Sequence, residues 1–403
     1  MPEPMTTPPP KVRARPRRSA RSARSAAFVA KAAVAVLAVV GAVACSSDDD
    51  ATPRPSVSGA STAAPTTAST TTTEASIAPV PSPGCRNRGD APAVTDQRRE
   101  IDVDGTTRWY LLTTPGPAAT SSSSTSGAAS GATEPEPMPL LLDFHGLAEG
   151  AEVHTRMSGF DEIAARERFV VAYPNGTGTP VHWAVETEDN PDLDFTDQLI
   201  DALGSELCLD MSRVYSTGLS NGAIFSSLLG CVRAERIAAI APVAGVQYPD
   251  GCQTDRPVPV LAVHGTADPI LQFNGGVGGF LAGEDPPEES SGGGPDGSAS
   301  SSSIAGVDID GPGYPEAVRK WAAHNGCRPK PADTEPVPDV TLRTYDCPPG
   351  GEVEFYVVHG GGHSWPGSAF SETIEMVVGP TNMALPASQL IWDFLSAQRL
   401  PAP

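Results

Sequence analysis

Arg213-Val214-Tyr215-Ser216-Thr217-Gly218-Leu219-Ser220-Asn221-Gly222-Ala223-Ile224-Phe225-Ser226-Ser227-Leu228-Leu229 is the stretch that decides the fold. β-prone residues lead into Gly-Leu-Ser-Asn-Gly, and a helical pattern leaves it. Strand, tight turn and helix form the setting in which a G-x-S-x-G turn lifts a serine hydroxyl off the end of a strand, so Ser220 is the candidate nucleophile. The flanking glycines suit a strained, crowded turn. A side chain at Gly218 or Gly222 would strike the neighbouring strand or the serine.

A serine hydroxyl needs a base, and the base an orienting carboxylate. With a serine turn of this type the acid follows the serine along the chain and the histidine comes last. Val258-Pro259-Val260-Leu261-Ala262-Val263-His264-Gly265 reads as a buried strand, and Thr266-Ala267-Asp268-Pro269 as the loop at its carboxyl end, which makes Asp268 the candidate acid. Beyond it lie His324, His359 and His363. His324 falls in a helical pattern. His359 ends the strand Glu354–Val358, whereas His363 follows three glycines and precedes Ser364-Trp365-Pro366-Gly367. His363, on a loop free to reach across, is the preferred base and His359 the alternative. The oxyanion requires two backbone donors. The Asn221 amide is one; the Leu147 amide, next to Gly146 after the strand Leu140–Phe144, is assigned as the other. His145 and His264 read as strand-end residues that shape loops. Histidines and acids do not pair at ligand spacing, so no metal and no cofactor is expected.

Around these residues, β patterns at Leu140–Phe144, Phe169–Tyr173, Val214–Thr217, Ile237–Val243, Val258–Val263 and Glu352–Val358 alternate with helical patterns at Met157–Arg166, Asp194–Glu206, Ala223–Arg233, Pro315–Asn325 and Ala387–Ala397. Such alternation predicts a mostly parallel central sheet with helices on both faces. Arg98–Val103 and Arg108–Leu112 flank Asp104-Gly105 as an opening hairpin. Low-complexity insertions occupy residues 118–137 and 275–303. Trp183, Tyr248, Phe273 and Trp365 come from four loops on the presumed catalytic face. Trp183 and Trp365 are the chosen substrate-binding candidates.

Together these residues resemble the secreted esterase family that holds poly(3-hydroxybutyrate) depolymerases and feruloyl esterases. The matching stretches are Leu140–Leu147, Asp194–Gly245, with "ELCLDMSRVYSTGLSNG" and "AAIAPVAG", Val258–Pro269, with "VPVLAVHGTADP", and Gly360–Gly367, "GGGHSWPG". The resemblance implies an α/β-hydrolase fold with Ser220, Asp268 and His363 as triad. "DFTDQLIDALGSELCLD" looks closer to feruloyl esterases than to polymer depolymerases. The 275–303 insertion departs from the family pattern and leaves substrate choice open.

Both ends of the argument on location lie in the first 84 residues. A basic run from Arg13 to Lys31 precedes the apolar stretch Ala32–Ala44, which is too short to span a bilayer (about 20 residues are needed) and suits a signal peptide over 1–44. Ala42-Val43-Ala44-Cys45 resembles a bacterial lipobox, with lipidation at Cys45; ordinary cleavage after Ala44 is the alternative. Residues 45–84, rich in Ser, Thr, Ala and Pro, read as a stalk, and residues 85–403 as the catalytic domain. An extracellular protein on the outer face of a bacterial membrane is expected, touching the membrane only through that anchor.

The six cysteines left after Cys45 suggest three disulfides in an exported chain. Cys327–Cys347 brackets one loop and pairs first. Cys208 with Cys231, both at the floor of the sheet, would leave Cys85 with Cys252. Net charge is −21 over the full chain. The first 44 residues hold eight basic side chains and one acid, so the remainder carries 19 basic against 47 acidic groups, a net −28. That surface repels phosphate backbones and excludes nucleic-acid partners; a neutral ester, free or polysaccharide-linked, is compatible. The expected activity is exported carboxylic-ester hydrolysis on feruloyl- or acetyl-type polysaccharide esters. Poly(3-hydroxybutyrate) oligomers are the alternative substrate, and envelope acyl transfer the alternative reaction.

Overall fold

Strands buried along nearly their whole length build the middle of the molecule. A computed structural model describes residues 78–86, 92–116, 136–252, 254–278 and 306–401. The expected signal peptide, Cys45, and most of the stalk and of both low-complexity insertions lie outside the described residues. β3 (Met138–Phe144), β4 (Val170–Pro174), β5 (Leu209–Leu219), β6 (Ala239–Val243), β7 (Val260–Gly265) and β10 (Val353–Val358) are buried along nearly all of their length, mostly as Val, Ile, Leu, Ala and aromatic residues, except that β5 also buries Asp210, Ser212, Ser216 and Thr217. A strand without an exposed side suits a parallel sheet covered on both faces. The pairs β4–β3, β3–β5, β5–β6, β6–β7 and β7–β10 are all parallel.

The edges are antiparallel. β1 (Val94–Val103) and β2 (Thr106–Thr114) form a hairpin closed by Asp104 and Gly105, both at positive φ as a two-residue type I′ turn demands. β2 then pairs with β4. At the far edge β9 (Val340–Thr344) pairs with β10, and β8 (Ala332–Thr334) with β9. The order across the ten strands is β1-β2-β4-β3-β5-β6-β7-β10-β9-β8. The helices Pro191–Glu206, Asn221–Val232 and Tyr314–His324 supply Leu199, Phe225 and Trp321 to one core. Ala151–Ser158, Phe160–Glu167 and Ala387–Ser396 supply Met157, Phe160 and Trp392 to the other. This is the α/β-hydrolase fold.

Three expectations need correction. The pattern read as one helix over Met157–Arg166 is the end of one helix and most of another, broken where Gly159 turns left-handed at φ 62°. β8 and β9 were not anticipated; they are short, β8 is exposed throughout, and neither carries a strong apolar alternation. The disulfides are Cys85–Cys208, Cys231–Cys252 and Cys327–Cys347. The last pair is the one expected; Cys208–Cys231 and Cys85–Cys252 are not formed. The short 3₁₀ turn Pro83–Arg86 docks at the start of β5, where Ser82 exchanges bonds with Leu207 and Leu209, and so delivers Cys85 to Cys208. Cys231 is thereby left to the turn that holds Cys252.

Candidate active site

β7 and β10 are adjacent in the sheet and β5 lies across β6 from them, and Ser220, Asp268 and His363 each follow the carboxyl end of one of these three strands. Ser220 sits between β5 and the Asn221–Val232 helix at φ 55°, ψ −117°, a conformation that non-glycine residues rarely adopt. The turn is held by its surroundings. A β-carbon at either Gly218 or Gly222 would drive into the carbonyl oxygen of Phe144 at the end of β3, so the elbow lies directly on the neighbouring strand. The Ser220 amide is tied to Val243 O at the end of β6.

The histidine loop is laid on the acid loop in the same manner. Ala267 N donates to Gly361 O, and a β-carbon on Gly265 would collide with the carbonyls of Gly361 and Gly362. His363 N donates to Val378 O at 2.5 Å. So placed, His363 Nδ1 stands 2.7 Å from Asp268 Oδ2, with both residues about 95 % buried. The other Asp268 oxygen accepts the amides of Ile270 and Leu271, each at 2.8 Å. His264 Nε2 lies 3.2 Å from Asp268 Oδ2 and 2.9 Å from Leu271 O. Burial pushes the Asp268 carboxyl up, but the charge of His363 and the hydrogen bonds from His264 and His363 outweigh it and hold the group well below the usual carboxylate range. With Nδ1 engaged by Asp268, Nε2 is the ring nitrogen left to meet a hydroxyl. Among the described residues Ser220 Oγ has no hydrogen-bond partner; catalytic bonds of this sort often close only around substrate. His359, the alternative base, is committed elsewhere: its Nε2 is 2.8 Å from Thr341 Oγ1 on β9.

Beside Ser220 runs the turn His145–Glu149. A β-carbon on Gly146 would sit 3.6 Å from the Ser220 β-carbon. The Gly146 amide is taken by Glu149 Oε2 at 2.5 Å, while the Leu147 amide has no partner among the described residues. The Asn221 amide opens a helix, where the first N–H groups lack intrahelical acceptors. His145 shapes this turn: its Nε2 accepts the Gly176 amide at 2.9 Å, so Nδ1 carries the proton and donates to Gly146 O at 2.7 Å. Burial disfavours its cation and pushes the pKa down to about 4.

Trp183 and Trp365, expected to line a substrate pocket, are 1 % and 0 % exposed and serve as packing. Trp183 is a buckle. Its backbone N and O are gripped by the Asn221 side chain at 2.7 and 3.1 Å, and its Nε1 donates to His145 O at 3.0 Å. It thus joins the residue after Ser220 to the turn beside it. Trp365 donates Nε1 to Ser388 and packs edge-on against His154 and Phe160. Two contributions escaped the sequence reading: the Asn221 carboxamide, and a buried cluster of Asp143, His154 and Glu149. Among the described residues no group of three or more His, Cys, Asp or Glu side chains is arranged to hold a metal.

Comparison with known proteins gives esterases. Feruloyl esterase B of Piromyces equi is 29 % identical over 58 % of this chain and 41 % of its own length. NocK of Nocardia uniformis subsp. tsuyamanensis, provisionally named an esterase, is 29 % identical over 75 % of this chain and 83 % of its own. The bifunctional acetylxylan esterase/xylanase XynS20E of Neocallimastix patriciarum is 34 % identical over 36 % and 21 % respectively. The chain therefore spans less than half the length of the first and third of these. No family model matches it. Among solved structures, an acetyl xylan esterase from Aspergillus awamori aligns with TM-score 0.44 at 13 % identity, over 70 % of this chain and 98 % of that one.

Proposed function

We propose that this chain is an exported serine carboxylic-ester hydrolase whose substrates are feruloyl- or acetyl-type esters of polysaccharide, or similar soluble esters. The observation that carries the reading is the buried Asp268–His363 bond, set beside a serine elbow whose adjoining turn offers the Leu147 amide, unpaired among the described residues. Ser220 Oγ attacks the ester carbonyl carbon and passes its proton to His363 Nε2. Asp268 holds the ring by Nδ1 and stabilises the imidazolium. The Leu147 and Asn221 amides receive the oxyanion. His363 then protonates the departing alcohol, and a water activated by the same ring releases the acid and restores Ser220.

The substrate class rests on the relatives named for feruloyl and acetylxylan ester hydrolysis. Export rests on the apolar run Ala32–Ala44 and on three disulfides, which persist in oxidising compartments. Anchoring through Cys45 rests on the lipobox-like Ala42-Val43-Ala44-Cys45.

Hydrolysis of methyl ferulate, acetylated xylan and hydroxybutyrate oligomers, each with the wild type and Ser220→Ala, tests the reading. Ser220-dependent turnover of the first two is expected. Turnover confined to the hydroxybutyrate oligomers would replace the substrate class, and turnover that survives Ser220→Ala would overturn the mechanism. Excess sugar acceptor distinguishes acyl transfer from hydrolysis. Mass spectrometry of the membrane fraction should find a diacylated Cys45, and an unmodified protein in the medium would refute the anchor.

A further inference from the structure

Three ionisable side chains lie in the interior beside the Ser220 elbow without touching the acid or the base. His154, on the helix Ala151–Ser158, presents Nε2 to Asp143 Oδ1 at 2.8 Å and Nδ1 to Glu149 Oε1 at 3.1 Å. Asp143 and His154 are wholly buried, and the Glu149 side chain is 9 % exposed. Both ring nitrogens face carboxylates, so both carry protons. Burial opposes the imidazolium, but the charges of Asp143 and Glu149 prevail and push its pKa up to about 10. Burying charges is costly unless each is paired, and a cluster of this kind calls for a purpose.

That purpose is visible at the free end of Glu149. Its second oxygen, Oε2, accepts the Gly146 amide at 2.5 Å. The Gly146 carbonyl accepts from His145 Nδ1 at 2.7 Å and from the Glu149 amide at 3.3 Å. Gly146 is thus gripped at both its N–H and its C=O. In a planar trans peptide the Leu147 N–H points opposite to the Gly146 C=O, so the His145 ring and the Glu149 amide aim that N–H by holding the carbonyl, and Glu149 Oε2 fixes the preceding peptide, about which Gly146 would otherwise turn. We propose that Asp143, His154 and Glu149 form a buried ionic clamp that positions the Leu147 amide as an oxyanion donor, an inference that rests on the serine-hydrolase reading above. Glu149 is a positioning residue: it acts through Gly146. His154 has a second task. A bare carboxylate this close to Ser220 would oppose a developing oxyanion, and the imidazolium on its other oxygen, shared with Asp143, offsets part of that charge.

The test uses the full chain with Glu149→Ala and Glu149→Gln, p-nitrophenyl acetate as substrate, and an aryl trifluoromethyl ketone, whose adduct with a serine carries an oxyanion. Outright loss of an oxyanion donor costs about 100- to 1,000-fold in kcat; a donor left in place but loosened should cost less. Glu149→Ala is expected to lower kcat about 10- to 100-fold with KM within about twofold, and to weaken the ketone by a matching factor. Glu149→Gln still offers an oxygen to the Gly146 amide but turns its NH2 toward a protonated ring, and should fall between wild type and Ala on both measures. If Glu149→Ala does not fold, Glu149→Gln carries the test alone, and ketone affinity unchanged from wild type overturns the clamp. A lower melting temperature with unchanged kcat and ketone affinity also overturns it, because the cluster would then serve only stability. Ser220→Ala separates the two ideas: if turnover survives that change, the hydrolase reading fails irrespective of Glu149.

Discussion

Asp268 Oδ2 and His363 Nδ1 meet at 2.7 Å across 95 positions of chain. The acid approaches from the end of β7 and the imidazole from the glycine loop after β10, two strands that pair directly. A buried carboxylate in that place selects one imidazole tautomer and stabilises its cation. Asp268→Asn keeps the shape and removes the charge. It should lower kcat on p-nitrophenyl acetate by about 10,000-fold, the scale set by loss of the correct tautomer, with the folded state retained in circular dichroism. A reduction under tenfold would show that the carboxylate is not the orienting group.

The elbow admits no extra atom at Gly222, whose missing β-carbon is replaced by backbone of Phe144 and His145. Because backbone cannot swing aside, Gly222→Ala should destabilise the protein by about 3 kcal/mol, the upper part of the range for overpacking, and should abolish esterase activity by displacing Ser220. Gly105→Ala provides the contrast. Gly105 lies at positive φ (84°) but has nothing within 4 Å of its β-carbon position, so activity should survive. Urea midpoints of the two variants, measured beside their turnover, decide the matter; equal activity in both would argue against a tightly seated elbow.

The disulfides differ greatly in the loop they close. Cys85–Cys208 spans 123 positions, Cys231–Cys252 spans 21 and Cys327–Cys347 spans 20. In the chain-entropy account a cross-link over about 15 residues contributes about 3 kcal/mol and one over about 100 contributes about 4.7. Replacing Cys85 and Cys208 by Ala should therefore lower stability more than replacing Cys327 and Cys347, by about 1 to 2 kcal/mol. The comparison is made by equilibrium unfolding of the two double variants, and a reversed order would mean that native-state contacts dominate the effect.

Which parts could be read from the chain follows from how local their causes are. The serine turn, the parallel strands and the Asp268 loop are each announced by residues adjacent in sequence: glycines where backbones touch, and continuous apolar runs where a strand is covered on both sides. Cys327 and Cys347 lie only 20 positions apart, bracketing β8 and β9, and were legible for the same reason. Cys85 and Cys208 were not, because their meeting depends on a 3₁₀ turn docking through Ser82 onto the start of β5. The indoles of Trp183 and Trp365 sit on loops, as the pattern suggested. Whether a loop aromatic faces solvent or the core is decided by its partners, here Phe144 and Phe225 for one and His154 and Phe160 for the other. Asp143, Glu149 and His154 fall within twelve residues. Their spacing matches no ligand motif, and only the turn at Gly146 brings both carboxylates to one ring. The sole hint was an apolar strand carrying an acid, Leu142-Asp143-Phe144, where burial of a charge requires a partner.

That partner makes stability depend on pH in a definite window. The groups facing the His154 ring are Asp143 from β3 and Glu149 from the 146–149 turn, with the edge of Trp365 from the His363 loop; His145 is a further titratable neighbour. The folded pKa of His154 is raised from 6.5 to about 10. Between those values the folded state holds a proton that the unfolded chain has released, so stability from this group is full below pH 6.5 and is lost as pH climbs through 10. One proton corresponds to a slope of at most about 1.4 kcal/mol per pH unit. Urea unfolding of the wild type from pH 7 to pH 9.5 should show stability falling with pH. In His154→Gln that proton is absent, and the two carboxylates face an uncharged amide. Its stability should be lower throughout and should lose this alkaline slope. Parallel curves for the two proteins across the window would show that His154 is not held as a cation in the folded state.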